Sequence, residues 1–319
     1  MAFIDIFNGD ADGLCSLIQL RSATPRSSKL ITGVKRDIAL VDQVDYANGD
    51  EVTVLDLSFD KNRSGIEKAL AAGANIRYFD HHFAGEIPAS DQLETHINTA
   101  SDICTSLLVD QHLKGQYRGW AVVGAFGDNL KQSATAAAKP LGLPERKLSQ
   151  LEMLGTYINY NGYGASIDDL HFEPTALYQK LSPFPDPLTF INEAKEVFFL
   201  LEEGYKQDMA SAATIKPQHE STSAAIFILP NETWARRVSG VYSNDLANTS
   251  PDRAHAVLTE KTNGTYLVSV RAPLNNKTGA DEICRQFPTG GGRKAAAGIN
   301  DLPEAMLGDF INTLDRFYA

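Results

Sequence analysis

A chain of 319 residues is long enough for two domains, each with its own hydrophobic core. Apolar residues make up 43% of the chain and charged residues 22%, which excludes a disordered or fibrous protein. The net charge of -11 disfavours a protein that binds long duplexes, because neutralising many phosphates requires a basic surface. We therefore expect a globular protein that acts on a short or small substrate.

Targeting and redox signals are weak throughout the sequence. The N-terminus reads MAFIDIFNGDAD, which lacks the basic start and long apolar stretch of a secretory signal. The three cysteines form no CxxC pair, so neither a disulfide framework nor a zinc site is indicated. No apolar run approaches the roughly 20 residues that span a bilayer. These patterns predict a cytoplasmic protein without a membrane partner.

The first 130 residues alternate strand-like and helical patterns. Strands are predicted at residues 3–7, 30–34, 52–57 and 76–79, and helices at residues 14–21 and 61–72. A further helix is predicted at residues 101–113, with Ser101 as its cap. Such alternation predicts βαβ units and a mainly parallel sheet covered by helices. Sheets of this kind bind ligands at the carboxyl ends of their strands.

The later part of the chain changes character twice. The proline-rich residues 181–187 cannot continue a helix and indicate a boundary or hinge, and residues 192–213 read as a connecting helix. Beyond residue 223, strand patterns include AHAVLTE and TYLVSVR, which Asn263-Gly264 joins as a hairpin. We predict an α/β fold with a parallel-sheet domain (1–180), a hinge with its connecting helix (181–213), and a smaller α/β domain (214–319).

Acidic residues and histidines recur where the predicted strands end. Asp10 or Asp12 taken alone is explained better as a helix cap. Recurrence at three strand ends instead predicts one crevice, in which packed carboxylates repel one another unless a cation compensates. The residues concerned are Asp10 and Asp12 in FNGDADGL, Asp56 in VTVLD, and Asp80, His81 and His82 in FDHH.

Mixed carboxylate and imidazole ligands suit Mn²⁺, and Mg²⁺ less well. One or two such ions can activate a water and stabilise an in-line displacement at phosphorus. The crevice therefore predicts metal-dependent phosphoester hydrolysis.

Five motifs in order, FNGDADGL, VLDLS, FDHH, GAFGDNL and GGGRKAAAG, resemble the DHH phosphoesterase superfamily with a C-terminal DHHA1 domain. That superfamily includes RecJ-like exonucleases and nanoRNases, and the resemblance covers nearly the whole chain. It implies that Asp10 and Asp56 bind a first metal ion, that Asp56 bridges to a second, and that Asp80 and His82 orient a ligand or contact the scissile phosphate. The second ion would be bound by Asp12, Asp56, His81 and Asp128.

The first motif departs from the family pattern at two positions. Many members carry a histidine where this chain has Ile6, and RecJ-like members carry an aspartate where it has Asn8. Asn8 offers only a neutral carbonyl oxygen as a ligand, which weakens the hold on a divalent ion. The first metal ion is therefore expected to be loosely bound or absent.

The glycine-rich residues 290–298 are a candidate substrate contact. Backbone amides there could approach an anion, although a flexible loop between a strand and a helix explains the glycines equally well. The family loop usually ends in histidine, where this chain has Arg293, and arginine suits phosphate binding better than acid catalysis. The resemblance also implies a phosphate contact for Arg271. The predicted substrate-binding residues are Arg271, Gly290, Gly291, Gly292 and Arg293.

Together these features predict a Mn²⁺-dependent phosphodiesterase that hydrolyses short oligonucleotides or dinucleotides in an interdomain cleft. Asp56, Asp80 and His82 would be its catalytic residues. A nucleotide- or phosphate-binding protein with weakened catalysis is the alternative that Asn8 and Arg293 motivate, and inorganic pyrophosphatase is a further one. The sequence leaves open whether the protein forms a homodimer.

Overall fold

The computed structural model describes residues 1–319, and the chain divides into two units, Met1–Glu203 and Gly204–Ala319. The first unit contains a parallel sheet of five strands in the order β2-β1-β3-β4-β5. Its strands are β1 (Phe3–Phe7), β2 (Lys29–Ile31), β3 (Glu51–Leu55), β4 (Asn75–Asp80) and β5 (Leu93–Ile97). The predicted parallel sheet is confirmed, and β5 is a strand that the sequence patterns did not predict.

Alternation of apolar residues explains how this sheet builds its core. Ile4, Ile6, Val52, Val54 and Ile76 share one face of three neighbouring strands, and all are buried. Side chains two residues apart point to the same face of a strand, so this face forms a continuous apolar layer. The first unit thus has a core of its own.

Helices surround the sheet. They are α1 (Ala11–Ala23), α2 (Arg63–Ala71), α3 (Thr105–His112), α4 (Arg118–Gly127), α5 (Lys131–Ala138), α6 (Glu145–Asn161), α7 (Pro174–Leu181) and α8 (Pro187–Glu193). A ninth, α9 (Lys195–Ala213), contains the position at which the two units divide. None of the helices combines the length and the apolar character needed to cross a bilayer.

The predicted cap at Ser101 is wrong. Helix α3 begins only at Thr105, and Cys104 takes the cap position without a side-chain hydrogen bond. Instead, the carboxylate of Asp12 accepts hydrogen bonds from the backbone N–H groups of Thr105 and Ser106. A distant residue therefore satisfies the first turn of α3, which local sequence rules do not detect.

The second unit is a mixed sheet of six strands in the order β10-β11-β9-β8-β7-β6, in which only β7 and β8 are parallel neighbours. The strands are β6 (His219–Glu220), β7 (Ala224–Leu229), β8 (Ala254–Glu260), β9 (Thr265–Arg271), β10 (Gly290–Arg293) and β11 (Ala296–Pro303), and the helices are α10 (Thr233–Thr249), α11 (Ala280–Cys284) and α12 (Leu307–Tyr318). The predicted second α/β domain and its β8–β9 hairpin are confirmed.

The glycine-rich segment is not a flexible loop. Gly290–Arg293 forms an edge strand that pairs antiparallel with β11. A Cβ atom at Gly290 would lie 1.8 Å from the carbonyl oxygen of Cys284, and one at Gly292, where φ is +138°, would lie 2.5 Å from Cα of Ala297. These two glycines permit close strand packing, whereas nothing lies within 4 Å of a Cβ at Gly291.

Candidate metal centre

The carboxyl ends of β1, β3 and β4 meet at one edge of the first sheet. Phe7 pairs with Leu55 and Leu55 pairs with Phe79, so the residues that follow these positions emerge side by side. The structure thereby brings together the acids and histidines of the predicted crevice. Asp10 and Asp12 follow β1, Asp56 follows β3, Asp80 ends β4, and His81 and His82 come next.

Two sets of possible metal ligands overlap at His81. One consists of Asp12, His81 and Asp128, the other of Asp56, His81 and His82, and in each set the ligand atoms lie within 4.8 Å of one another. Nε2 of His81 is 3.4 Å from Oδ1 of Asp56 and 3.8 Å from Oδ2 of Asp128. Ligands that share one octahedral ion lie about 3 Å apart, so these side chains fit a divalent cation without large movement.

Asp12 is held rigidly by the start of α3. Its two carboxylate oxygens accept hydrogen bonds from the backbone N–H groups of Thr105 (2.7 Å) and Ser106 (2.8 Å), and the residue is fully buried. These bonds fix the orientation of the carboxylate, and each oxygen retains a lone pair for a cation. The charge of Asp12 is thus available to a metal ion in a defined orientation.

Asp56 has an unusual backbone conformation with φ of +57°. Aspartate and asparagine tolerate this left-handed region better than most residues, and the turn ends β3 at Leu55, two residues before the predicted end at residue 57. Its Oδ1 atom accepts a hydrogen bond from the hydroxyl of Thr105 (3.2 Å). Burial raises the pKa of Asp56 well above its usual range, and the neighbouring Asp12 and other carboxylates raise it further. A cation would remove that penalty.

Asp128 directly follows α4 within the motif GAFGDNL. Burial raises the pKa of this carboxyl to about 7, with Asp12 and Asp10 raising it further and Lys35 opposing them. Its side chain is 22% exposed, more than the other acids at this edge. Asp128 therefore borders solvent while it takes part in the same negative cluster.

Asp80 and His82 form a close pair. Oδ1 of Asp80 is 2.7 Å from Nδ1 of His82, and Oδ2 accepts a hydrogen bond from the backbone N–H of Phe59 (3.2 Å). The hydrogen bond to Asp80 raises the pKa of His82, which favours the imidazolium form, and the histidine side chain is 45% exposed. The partly exposed ring of His82 thus lies beside the acidic cluster, and its contact with Asp80 favours protonation.

Asp10 caps helix α1, as the helix-cap explanation predicts, and it also forms an ion pair. Its Oδ1 atom accepts hydrogen bonds from the backbone N–H groups of Asp12 (3.0 Å) and Gly13 (3.2 Å) at the start of α1, and its Oδ2 atom forms an ion pair with Lys35. Burial opposes ionisation, but Lys35 and the amides outweigh it and lower the pKa of Asp10. Asn8 lies beside Asp10 and accepts a hydrogen bond from its backbone N–H (3.3 Å).

Sequence reasoning missed Lys35, Thr105 and Ser106. Lys35 follows β2, a parallel neighbour of β1, so the strand-end argument that found the aspartates could also have found this lysine. Thr105 and Ser106 carry no such signal, because their role depends on the direction in which α3 points. The charge around Asp10 is therefore more balanced than the sequence motifs suggest.

A third group of possible ligands lies away from this edge. Glu94, His96 and His112 have ligand atoms within 4.8 Å of one another. However, Nε of Arg77 already donates a hydrogen bond to Oε2 of Glu94 (2.8 Å), and the His96 ring stacks on Phe79 with a centroid distance of 4.3 Å. Arginine supplies the positive charge there, so the group is explained without a metal ion.

In the second unit, two arginines share one row of the sheet. Ala296 on β11 pairs with Arg293 on one side and with Arg271 on the other. Residues directly opposite each other in antiparallel strands point to the same face, so both arginines lie on one face about 10 Å apart, with only a methyl group between them. Nε of Arg271 donates a hydrogen bond to Oδ1 of Asn244 (2.6 Å), which fixes its position, whereas Arg293 is exposed.

Comparison with known proteins gives structural matches only. No protein-family model and no curated protein sequence matches this chain. A DHH-domain protein described as a member of a family of ribosomal proteins has a TM-score of 0.69 at 13% identity, over 99% of this chain and 86% of that chain. Exonuclease RecJ bound to manganese has a TM-score of 0.65 at 16% identity, over 99% of this chain and 90% of that chain.

A pGpG-specific phosphodiesterase from Vibrio cholerae has a TM-score of 0.57 at 12% identity, over 100% of this chain and 99% of that chain. Both units are included in each match, because nearly the entire chain is aligned. The five motifs identified in the sequence lie within that alignment. The chain therefore has the same fold as these DHH-domain, RecJ and phosphodiesterase structures.

Proposed function

We propose that this chain is a Mn²⁺-dependent phosphodiesterase that hydrolyses short oligonucleotides or dinucleotides. The observation that carries the proposal is the convergence of Asp12, Asp56 and Asp128 on His81 at the carboxyl edge of the parallel sheet. Burial raises the pKa values of Asp56 and Asp128, and repulsion among the crowded carboxylates raises both further, so a cation at this place would be stabilising.

The ligand set favours manganese over the alternatives. Three carboxylates and one imidazole suit Mn²⁺, whereas Mg²⁺ prefers oxygen ligands alone and zinc sites often use thiolates. Cys15 and Cys104 are buried nearby, but burial raises the pKa of both thiols well above the usual range, so neither is a good thiolate ligand. Mg²⁺ is the second choice.

Each residue of the site would have a separate role in the hydrolysis. A bound divalent ion would lower the pKa of a water molecule and neutralise charge on a phosphate. Asp12 and Asp56 would hold the cation. His82, whose pKa is raised by its hydrogen bond to Asp80, would donate a hydrogen bond to a phosphate oxygen and stabilise the charge that develops on it. Thr105 would fix the orientation of Asp56.

Small nucleotides are the substrate class that the charges favour. The net charge of -11 opposes tight binding of a long duplex. In the second unit, Arg271 and Arg293 lie on one sheet face and would bind an anionic group of the substrate, beside Gly291, where the space that a Cβ would take is open. The pGpG-specific phosphodiesterase, whose fold is similar, acts on a dinucleotide, which supports the same class here.

A second candidate function is nucleotide or phosphate binding with little catalysis. The ion pair between Lys35 and Asp10 favours it, because this pair and the neutral Asn8 leave fewer charges for a metal ion beside Asp10. Measuring dinucleotide turnover distinguishes the phosphodiesterase from the binding protein.

The test measures bound metal and Mn²⁺-dependent release of mononucleotide from pApA and pGpG, with pyrophosphate as a competing substrate. We expect dinucleotide turnover that EDTA abolishes and Mn²⁺ restores, and little pyrophosphate hydrolysis. Tight dinucleotide binding without turnover would favour the binding protein, and faster hydrolysis of pyrophosphate would favour a pyrophosphatase.

Asp56→Asn is the matched control for this test. Asparagine tolerates the positive φ at this position, so the variant keeps the backbone while it removes the charge. We expect turnover to fall by at least about 100-fold, as for loss of a metal ligand or a key electrostatic group. Unchanged turnover in Asp56→Asn would reveal a contaminating enzyme and reject the site.

A further inference from the structure

Several groups of the protein fix the position of the Lys35 ammonium beside Asp10. Its ammonium forms an ion pair with Oδ2 of Asp10, donates a hydrogen bond to Oδ1 of Asn159 (3.0 Å) and stands 5.7 Å from the centre of the Tyr163 ring. The backbone is held as well, because the N–H of Lys35 donates to the carbonyl of Gly162 (2.8 Å). Three partners around one ammonium define its position.

The side chains that could bind a metal ion at this position, Asp10 and Asn8, already form hydrogen bonds or ion pairs within the protein. Oδ1 of Asp10 accepts two backbone hydrogen bonds from the first turn of α1, and Oδ2 faces Lys35. The side chain of Asn8 accepts a hydrogen bond from the N–H of Asp10 (3.3 Å) and donates one to the carbonyl of Lys35 (3.3 Å). Asn8 therefore contributes no charge and is occupied on both atoms of its amide.

A divalent ion beside Asp10 does not fit this arrangement. It would have to displace the ammonium from Asp10, take a neutral amide as its next ligand, and remain close to a positive charge that the protein anchors at its backbone. The set around His81 meets no such obstacle, because no lysine or arginine forms an ion pair with Asp12, Asp56 or Asp128.

We propose that the ammonium of Lys35 takes the place of a second divalent ion, so that this chain binds one Mn²⁺, through Asp12, Asp56, His81 and Asp128. The inference rests on the proposed function, since it assumes that these four residues bind an ion. Lys35 then acts as a cation of the protein itself that neutralises Asp10 within the acidic cluster.

The test counts ions directly, without an activity assay. Mn²⁺ is titrated into the EDTA-treated and desalted full-length chain by calorimetry, with electron paramagnetic resonance of the bound ions as a second readout. We expect one ion in the wild type and an isolated Mn²⁺ signal. In Lys35→Met, Asp10 loses its partner, and we expect a second ion and a spectrum broadened by coupling between two ions that share Asp56.

Two variants control for charge and for general effects. Lys35→Arg keeps the positive charge and is expected to bind one ion. Lys131→Met removes a lysine from an ion pair with Glu152, in which the lysine side chain is 72% exposed, and is also expected to bind one ion. Circular dichroism confirms that each variant is folded.

The outcomes separate this inference from the proposed function. Two ions in the wild type would overturn the role of Lys35 while they leave a metal-dependent function intact. No ion in the wild type would reject the metal site itself. One ion in a folded Lys35→Met would show that the lysine is not what excludes the second ion, and should Lys35→Met fail to fold, the wild-type count still decides.

Discussion

Nδ1 of His82 lies 2.7 Å from Oδ1 of Asp80, and the same carboxylate accepts the backbone N–H of His81 at 2.9 Å. Asp80 thus organises the first two residues after β4 with one oxygen. Its other oxygen accepts the N–H of Phe59, so the carboxylate is fully buried between two strand ends. A residue placed in this way controls the orientation and the charge of His82.

Asp80→Asn is therefore expected to lower kcat by about 10- to 100-fold, as for other residues that orient a metal site or a charged histidine. Bound Mn²⁺ should stay at the wild-type level, because Asp80 is not among the proposed ligands. Steady-state kinetics on a dinucleotide and elemental analysis check both parts. Glu94→Gln is the matched control, since Glu94 forms a similar 2.7 Å contact with His96 on a neighbouring strand. An equal loss of kcat in both variants would refute the assignment.

For Asp128→Asn, we expect that the order of stability of variant and wild type depends on whether metal is bound. Without metal, the variant relieves repulsion among the buried carboxylates, and we expect it to be more stable than the wild type by on the order of 2 kcal/mol at pH 8. With saturating Mn²⁺, the wild type gains stability from binding and the variant gains much less. Thermal unfolding in EDTA and in Mn²⁺ measures both. A variant that is less stable than the wild type under both conditions would contradict the expected crossover.

How much of this site the sequence reveals depends on whether a residue's role is local. Asp56 and Asp80 could be predicted, because parallel strands end at one edge and their following residues must meet there. The contact of Asp12 with the start of α3 could not, since it joins residues 93 positions apart and depends on helix orientation. For the same reason Ser101, a good local cap, was the wrong choice.

The second unit follows the same rule. The β8–β9 hairpin was predictable from Asn263-Gly264, because a tight turn leaves its mark in the sequence, and Gly264 has the positive φ of +75° that such turns require. The strand character of residues 290–293 was not, because consecutive glycines have low strand propensity and are ordered here by pairing with β11.

Arg293→Gln is expected to raise the KM for a dinucleotide by about 10-fold while kcat and bound Mn²⁺ stay unchanged, because one charge-assisted hydrogen bond to an anion is worth roughly 1.5 kcal/mol. Arg293 is exposed, so the fold should tolerate the change. Arg316→Gln, an exposed arginine on α12, is the control and should leave KM unaltered. A KM equal to that of the wild type in Arg293→Gln would remove this residue from the substrate contacts.

His255 should make the second unit sensitive to acid. It is fully buried on β8, and burial, with help from Arg253, lowers its pKa to about 4. An unfolded histidine titrates near 6.5, so between these values the unfolded chain binds the extra proton and stability falls as the pH falls. We expect a loss of about 2 kcal/mol between pH 7.5 and pH 5. Urea unfolding at both pH values should show a smaller loss in His255→Leu, and an equal loss in variant and wild type would assign the acid sensitivity to other groups.

Alanine substitutions at Gly290 and Gly291 should have very different effects on stability, although the two residues are neighbours on β10. In Gly290→Ala the new methyl group would lie 1.8 Å from the carbonyl oxygen of Cys284, so the strand or α11 must shift, and we expect a loss of about 1–3 kcal/mol in stability. In Gly291→Ala no atom lies within 4 Å of the methyl group, and stability should stay within about 0.5 kcal/mol of the wild type. Urea unfolding of the two full-length variants measures the difference. Equal stability of both would mean that β10 does not pack against Cys284, and the row formed by Arg271, Ala296 and Arg293 would then lose its structural basis.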